Sequence, residues 1–259
     1  MKRLAIIALV TILHVLLLIW FLNAKSERGD PSTPPVPPGP GHGEIQNPDH
    51  AVPPPTPVSA TIPPLDKLAL AKPGQPVPAD LLAETKDCTA GILIDWTNKR
   101  ILWEKRGGEP VPIASMAKMM TVLLLMQALE SDPGIELDTP VKVTPSASAV
   151  GARQVYLDPR ETFTIDELLK CVMVFSANDA AYLLGEFLAE GHIDAFIRKM
   201  NQTAGALGMQ KAHFTTPHGL SVGGDSAGAD KASPLELAYL AGRLLEYPQV
   251  LKWSSTRLS

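Results

Sequence analysis

Sixteen of the 25 prolines in this 259-residue chain fall between residues 25 and 79. Runs such as Pro34-Pro35-Val36-Pro37-Pro38 and Pro53-Pro54-Pro55 remove backbone donors and fix φ, so neither a helix nor a sheet passes through them. A stretch of this kind buries little apolar surface and tends to extended polyproline geometry. Fully extended, it reaches on the order of 170 Å at about 3.1 Å per residue. A docking site for a proline-binding partner is the alternative reading, and a spacer the better one. The chain therefore divides into a segment at 1–24, a proline-rich disordered linker at 25–80, and residues 81–259, which must hold any core.

The first segment reads as a membrane anchor. Met1-Lys2-Arg3 precedes an apolar run from Leu4 to Leu22, interrupted only by Thr11 and His14. As a helix this run spans roughly 28 Å at about 1.5 Å per residue, close to the hydrocarbon thickness of a bilayer. The basic N-terminus favours the inside, which places everything after the span outside the cytoplasm. A cleavable signal peptide competes with this reading, but Leu22-Asn23-Ala24 fits a small-x-small cleavage site poorly. His14 reads as a tolerated neutral histidine rather than a proton relay.

A net charge of −4 gives no basic footprint for nucleic acid. Cys88 and Cys171 could pair in an exported domain. Both fall in apolar segments, so two buried free thiols are at least as strong an expectation, and neither has metal-ligand spacing. No cofactor or metal is expected.

Within the globular part, Met116, Met119, Met120, Val122 to Met126 and Leu129 make a helix that is apolar on nearly every side, as for a helix inside a core. Ser115 and Lys118 stand at its head, just after Pro112. Residues three apart on a helix share a face, and a neutral lysine amine can take the proton of an attacking serine hydroxyl. A capping serine with a snorkelling lysine explains the same four residues without chemistry. Gly91–Asp95 and Arg100–Glu104 predict a hairpin around the turn Trp96-Thr97-Asn98-Lys99. Thr164-Ile165-Asp166-Glu167 is a capping box that opens a helix. That helix stops at Phe175-Ser176-Ala177-Asn178-Asp179, and a second apolar helix starts at once with Ala180 and Ala181. A polar cluster between two buried helices suits a site residue, although Ser176 or Asn178 could simply cap the second helix.

Ser-x-x-Lys followed by Ser-x-Asn is the motif order of penicillin-recognising serine enzymes. Pro112-Ile113-Ala114-Ser115-Met116-Ala117-Lys118-Met119-Met120-Thr121 resembles the nucleophile segment of the D-alanyl-D-alanine carboxypeptidases, the low-molecular-mass penicillin-binding proteins. Ser176-Ala177-Asn178-Asp179-Ala180-Ala181 is similar to their second motif. Met200-Asn201, Leu207-Gly208-Met209 and Thr216-Pro217-His218-Gly219-Leu220 recur in the family's order, so the resemblance covers about residues 85–255. Class A β-lactamases share the first two motifs, but usually carry Ser-Asp-Asn and a downstream glutamate; Ala177 and the His218-Gly219-Leu220 segment favour the carboxypeptidases. Ser233-Pro234-Leu235-Glu236, in place of Ser/Thr-Ala-x-Asp, and Arg160, near a usual glycine, depart from the family pattern and read as structural variations.

The resemblance implies an α/β subdomain plus an all-helical subdomain, the penicillin-binding-protein/β-lactamase-like transpeptidase fold, with its sheet beginning at the 91–104 hairpin. It implies that Ser115 attacks a terminal D-Ala-D-Ala bond of a peptidoglycan stem peptide. Lys118 would act as base, Ser176 as proton relay, and Asn178 would orient lysine and substrate. The Ser115 N–H would form half of an oxyanion hole, β-lactams would acylate the same serine, and His218 would shape a loop outside the acid–base set. It also implies a bacterial cell envelope, with the anchor holding the domain at the membrane.

The family's third motif, Lys-Thr-Gly, is not found downstream: Lys231, Arg243, Lys252 and Arg257 all lack a following Thr/Ser-Gly. That lysine would bind the substrate carboxylate and help keep Lys118 neutral. The expectation is therefore a carboxypeptidase domain incomplete at its C-terminus, with a hairpin marginal on its own and with weak penicillin labelling. The rival expectation is a membrane-tethered protein that binds peptidoglycan or a partner without catalysis.

Overall fold

The computed structural model describes residues 62–72, 77–220 and 228–256; the anchor expected at 1–24 and the linker as far as residue 61 lie outside them. A short helix α1 (Ala79–Glu84) leads into the hairpin of β1 (Gly91–Asp95) and β2 (Arg100–Lys105). The turn is closed by Asp95, whose carboxylate accepts from the backbone and side-chain nitrogens of Asn98, and by Lys99 in a left-handed conformation (φ 51°). β3 (Val111–Pro112) precedes the long helix α2 (Lys118–Ser131). β4 (Pro140–Lys142) and β5 (Thr162–Thr164) form a second antiparallel ladder, with α3 (Pro145–Ser148) between them.

From β5 the chain enters α4 (Ile165–Lys170), opened by the expected Thr164–Glu167 capping box. It continues as a π-helical turn over Cys171–Phe175. Then follow α5 (Asn178–Leu188), α6 (Ile193–Ala206), β6 (Lys231–Ala232), α7 (Pro234–Leu244) and α8 (Pro248–Ser254). β6 returns to pair with β3.

Helix α2 is the axis of the core. Met120 and Val122 to Met126 are buried along it, and it packs against α5 and α7. Burial on every side accounts for its uniform apolarity. Leu168, Leu169, Ala180, Leu184, Phe196, Met200, Phe214, Tyr239 and Trp253 complete the interior. Among the described residues the α/β part consists of three two-stranded antiparallel ladders around this helical core.

The hairpin does not stand alone. Helix α7 lies against β1, and Trp96 meets Tyr239 edge-on at 6.5 Å. Gly242 of α7 touches the Trp96 indole so closely that a Cβ would overlap it. On the other edge Ala71 bridges to β2, donating to the Lys99 carbonyl (2.9 Å) and accepting from Ile101 N (2.8 Å).

Ala71 belongs to a strap, residues 62–72, that differs from the free linker expected as far as residue 80. Ile62 is buried. Tyr239 Oη donates to the Pro63 carbonyl (3.0 Å), Arg243 Nη1 to the Ile62 carbonyl (3.1 Å), and Leu65 N to the Leu207 carbonyl (2.9 Å). Proline removes donors but keeps its acceptor, so this part of the stretch docks through the Ile62 and Pro63 carbonyls, the N–H groups of its non-proline residues Leu65 and Ala71, and the apolar side chains of Ile62, Leu65 and Leu68.

The cysteines are free thiols, one of the two expectations, but Cys88 is not buried. Cys88 is exposed in the turn after α1, Cys171 is half-buried in the π-helical turn, and both are free. Burial pushes the Cys171 thiol above its ordinary value. Among the described residues no helix is long and apolar enough to cross a membrane.

Candidate active site

Ser115 sits on a 3-10 turn, Ala114–Ala117, that runs directly into α2. Ala114 takes a left-handed conformation (φ 46°) just before it. Gly219 (φ 90°) lies against this turn, and a Cβ there would overlap the Ala114 carbonyl, so glycine alone fits on both steric and conformational grounds. Lys118 is the first residue of α2, and its Nζ stands 3.1 Å from Ser115 Oγ. The pairing expected on one helix face is thus made across the junction of a tighter turn with the helix.

Lys118 is 4% exposed. Its Nζ donates to Ser115 Oγ, to Asn178 Oδ1 (2.7 Å) and to the His218 carbonyl (2.8 Å), which occupies all three donors of an ammonium. Burial brings its pKa down to about 8; Arg153 pushes the same way and Asp230 opposes. Near pH 8 such a lysine is part ammonium and part neutral amine, and the neutral amine can accept a proton from the neighbouring hydroxyl.

The second cluster is delivered by the π-helical turn. Ser176 N donates to the Val172 carbonyl (3.0 Å), and Ala177 N reaches back six residues to Cys171 (3.1 Å). Ser176 itself is left-handed (φ 62°), which swings the chain into α5. Neither Ser176 nor Asn178 caps that helix: its N-cap is Ala177, with no side-chain bond. Asn178 instead donates from Nδ2 to the Gly151 carbonyl (3.0 Å), which turns Oδ1 towards Lys118. Asp179 is buried beside it and accepts from Val155 N and Leu157 N, tying the 151–157 loop to α5. The Ser176 hydroxyl is half-buried and, among the described residues, makes no hydrogen bond to Ser115 or Lys118.

The structure therefore joins Ser115, Lys118 and Asn178 in one network, with Ser176 close in sequence but unbonded to it. It adds the Thr215–Gly219 loop, which sequence spacing did not single out for contact with the lysine. The Pro217 carbonyl accepts from Thr121 Oγ1 (2.7 Å), and the His218 carbonyl accepts from Lys118. The His218 ring is buried, stacks on Tyr182 at 6.2 Å and accepts at Nδ1 from Leu220 N (3.1 Å). Burial and then the Lys118 charge hold its pKa down to about 4, so it stays neutral and shapes the loop. Asp230 and Arg153 carry no sequence signal for the site, because backbone carbonyls and long-range charges leave no local spacing to read.

The departures from the family pattern are accommodated structurally. Ser233 and Glu236 form the capping box of α7, with Glu236 also accepting from Lys211 N (2.7 Å). Arg160 pairs with Asp158 in an exposed turn. In front of the network the surface is open: Ser115 is exposed, as are Met116, Phe175 and Tyr156. Among the described residues no cluster of three or more His, Cys, Asp or Glu could hold a metal.

A family model described as D-alanyl-D-alanine carboxypeptidase matches residues 79–259. The chain is 32% identical over 170 residues to D-alanyl-D-alanine carboxypeptidase DacF of Bacillus subtilis, covering 66% of this chain and 42% of that one. It is 34% identical over 148 residues to DacC of Escherichia coli, covering 55% and 36%. The chain thus spans less than half the length of these two relatives. Among solved structures, carboxypeptidase DacD of Francisella tularensis superposes with a TM-score of 0.60 at 28% identity, covering 65% of this chain and 39% of that one. Penicillin-binding protein D2 of Listeria monocytogenes, in an ampicillin-bound form, gives 0.56 at 27%, covering 64% and 65%.

Proposed function

The chain belongs to the D-alanyl-D-alanine carboxypeptidase family, and from that premise we propose that Ser115 is the nucleophile of acyl transfer from a terminal D-Ala-D-Ala bond. The observation that carries this reading is the 3.1 Å contact between Ser115 Oγ and a buried Lys118 whose pKa is brought to about 8. Lys118 takes the hydroxyl proton as Oγ bonds to the carbonyl carbon. The tetrahedral oxyanion is stabilised at the Ser115 N–H, which has no acceptor among the described residues. The C–N bond then breaks, and the proton that Lys118 took passes by way of Ser176 to the nitrogen of the leaving D-alanine. Water hydrolyses the resulting ester, while Asn178 orients Lys118 and the substrate amide. The substrate is a peptidoglycan stem peptide, and a β-lactam acylates the same serine, as the ampicillin-bound Listeria relative suggests by analogy. The apolar run Leu4–Leu22 supports a membrane tether with this domain outside the cytoplasm.

The test is prolonged exposure of the 259-residue chain to a penicillin, followed by peptide mass mapping. A slowly formed adduct on Ser115, absent from Ser115→Ala, is the expected result. An adduct elsewhere, or none, overturns the assignment.

The exposed Ser115 favours one second reading, a tethered peptidoglycan binder. Equal retention of the native chain and Ser115→Ala on cell-wall sacculi, with no D-alanine released, would support it.

A further inference from the structure

Asp230 is 0% exposed, and among the described residues no cation forms an ion pair with it. Its Oδ1 accepts from Thr215 N (2.7 Å) and Thr216 N (3.1 Å), and its Oδ2 from Thr216 Oγ1 (2.8 Å). Thr216 Oγ1 accepts in turn from Gly219 N (2.7 Å), so one carboxylate closes the whole loop. That loop presents the Pro217 carbonyl to Thr121, the His218 carbonyl to Lys118, and Gly219 to the turn before Ser115. The backbone of Asp230 holds the opposite side: its carbonyl accepts from Ile113 N (3.0 Å), two residues ahead of Ser115. One residue therefore fixes the approach to the serine and the acceptor of the lysine.

A neutral asparagine could accept the two Thr N–H groups at Oδ1, but it lacks the charge and the second acceptor that Thr216 Oγ1 uses. A buried carboxylate without a counter-ion is destabilising unless something uses it. We propose that Asp230 is a positioning residue of the Ser115–Lys118 pair, which closes the Thr215–Gly219 loop against the lysine and sets its own buried charge behind it. This rests on the acyl-transfer reading above.

The other charged or titratable groups around Lys118 do not supply this effect. Arg153, packed over the Phe175 ring at 5.5 Å, works in the opposite direction. The His218 ring is neutral. Asp179 on α5 faces the Val155 and Leu157 N–H groups, and Glu236 on α7 is held by Ser233 and Lys211 N. Helix α2 carries no other charged side chain before Glu130.

The test follows the Lys118 Cε resonance against pH in the 13C-lysine-labelled 259-residue chain, assigned with Lys118→Arg. In Asp230→Asn its midpoint should fall by about half a pH unit or more. The rising limb of Ser115 adduct formation should move to lower pH by the same amount. Thr216→Val loosens the loop but keeps the charge, and should leave the midpoint in place even if Asp230→Asn fails to fold. An unchanged midpoint in folded Asp230→Asn, or an equal fall in Thr216→Val, overturns the proposal. Should no adduct form on the native chain while the midpoint still falls, the acyl-transfer reading fails and the role of Asp230 on Lys118 stands.

Discussion

At Lys118, burial works against the charge while three acceptors work for it. Its pKa near 8 lies below the unfolded lysine value of about 10.4, so between the two the unfolded chain holds more protons than the folded one. Stability from this group must therefore rise with pH across that window, the reverse of the usual paired lysine. Relative to Lys118→Met, the native chain should gain about 2 kcal/mol between about pH 7.5 and about pH 9.5, read from urea midpoints. A flat difference would show that Lys118 titrates as an ordinary surface lysine. The left-handed residues Ala114 and Ser176, each at one of the two motifs, place local strain where function concentrates it.

At the scale of elements, the motifs were legible because each is local. Ser115 and Lys118 lie within one turn, Ser176 and Asn178 within one helix–helix junction, and the Thr164–Glu167 capping box announces its own helix. The 91–104 hairpin was legible for the same reason. What joins these pieces was not legible. Asn178 is fixed by the Gly151 carbonyl, Lys118 by the His218 carbonyl, and the hairpin by a glycine face of α7. Backbone acceptors and missing side chains have no residue-type signature. Gly242 gives this contact a direct test, because a methyl group there overlaps the Trp96 indole and one of the two must shift. Gly242→Ala should cost about 1–3 kcal/mol through overpacking, despite alanine's better helix propensity. A higher melting temperature for Gly242→Ala would show that the α7–hairpin contact is loose.

At the scale of the molecule, proline composition concealed the strap at 62–72 inside an apparent spacer. Ile62 and the carbonyls around it supply contacts that a count of prolines cannot reveal. A chain beginning at Ile62 should therefore be more stable than one beginning at Val77 by about 2 kcal/mol or more, from burial of Ile62 and the lost hydrogen bonds. Equal denaturation midpoints would make the strap ornamental. The strap also sets the path of mechanical load. Any pull arriving from the N-terminal side meets the Ile62, Pro63 and Leu65 attachments, and then Ala71 on β2, before it reaches a residue of the Ser115 network. A force applied at Ile62 would thus be shared first with α7, the Leu207 carbonyl and the edge of the hairpin, away from the serine and its lysine.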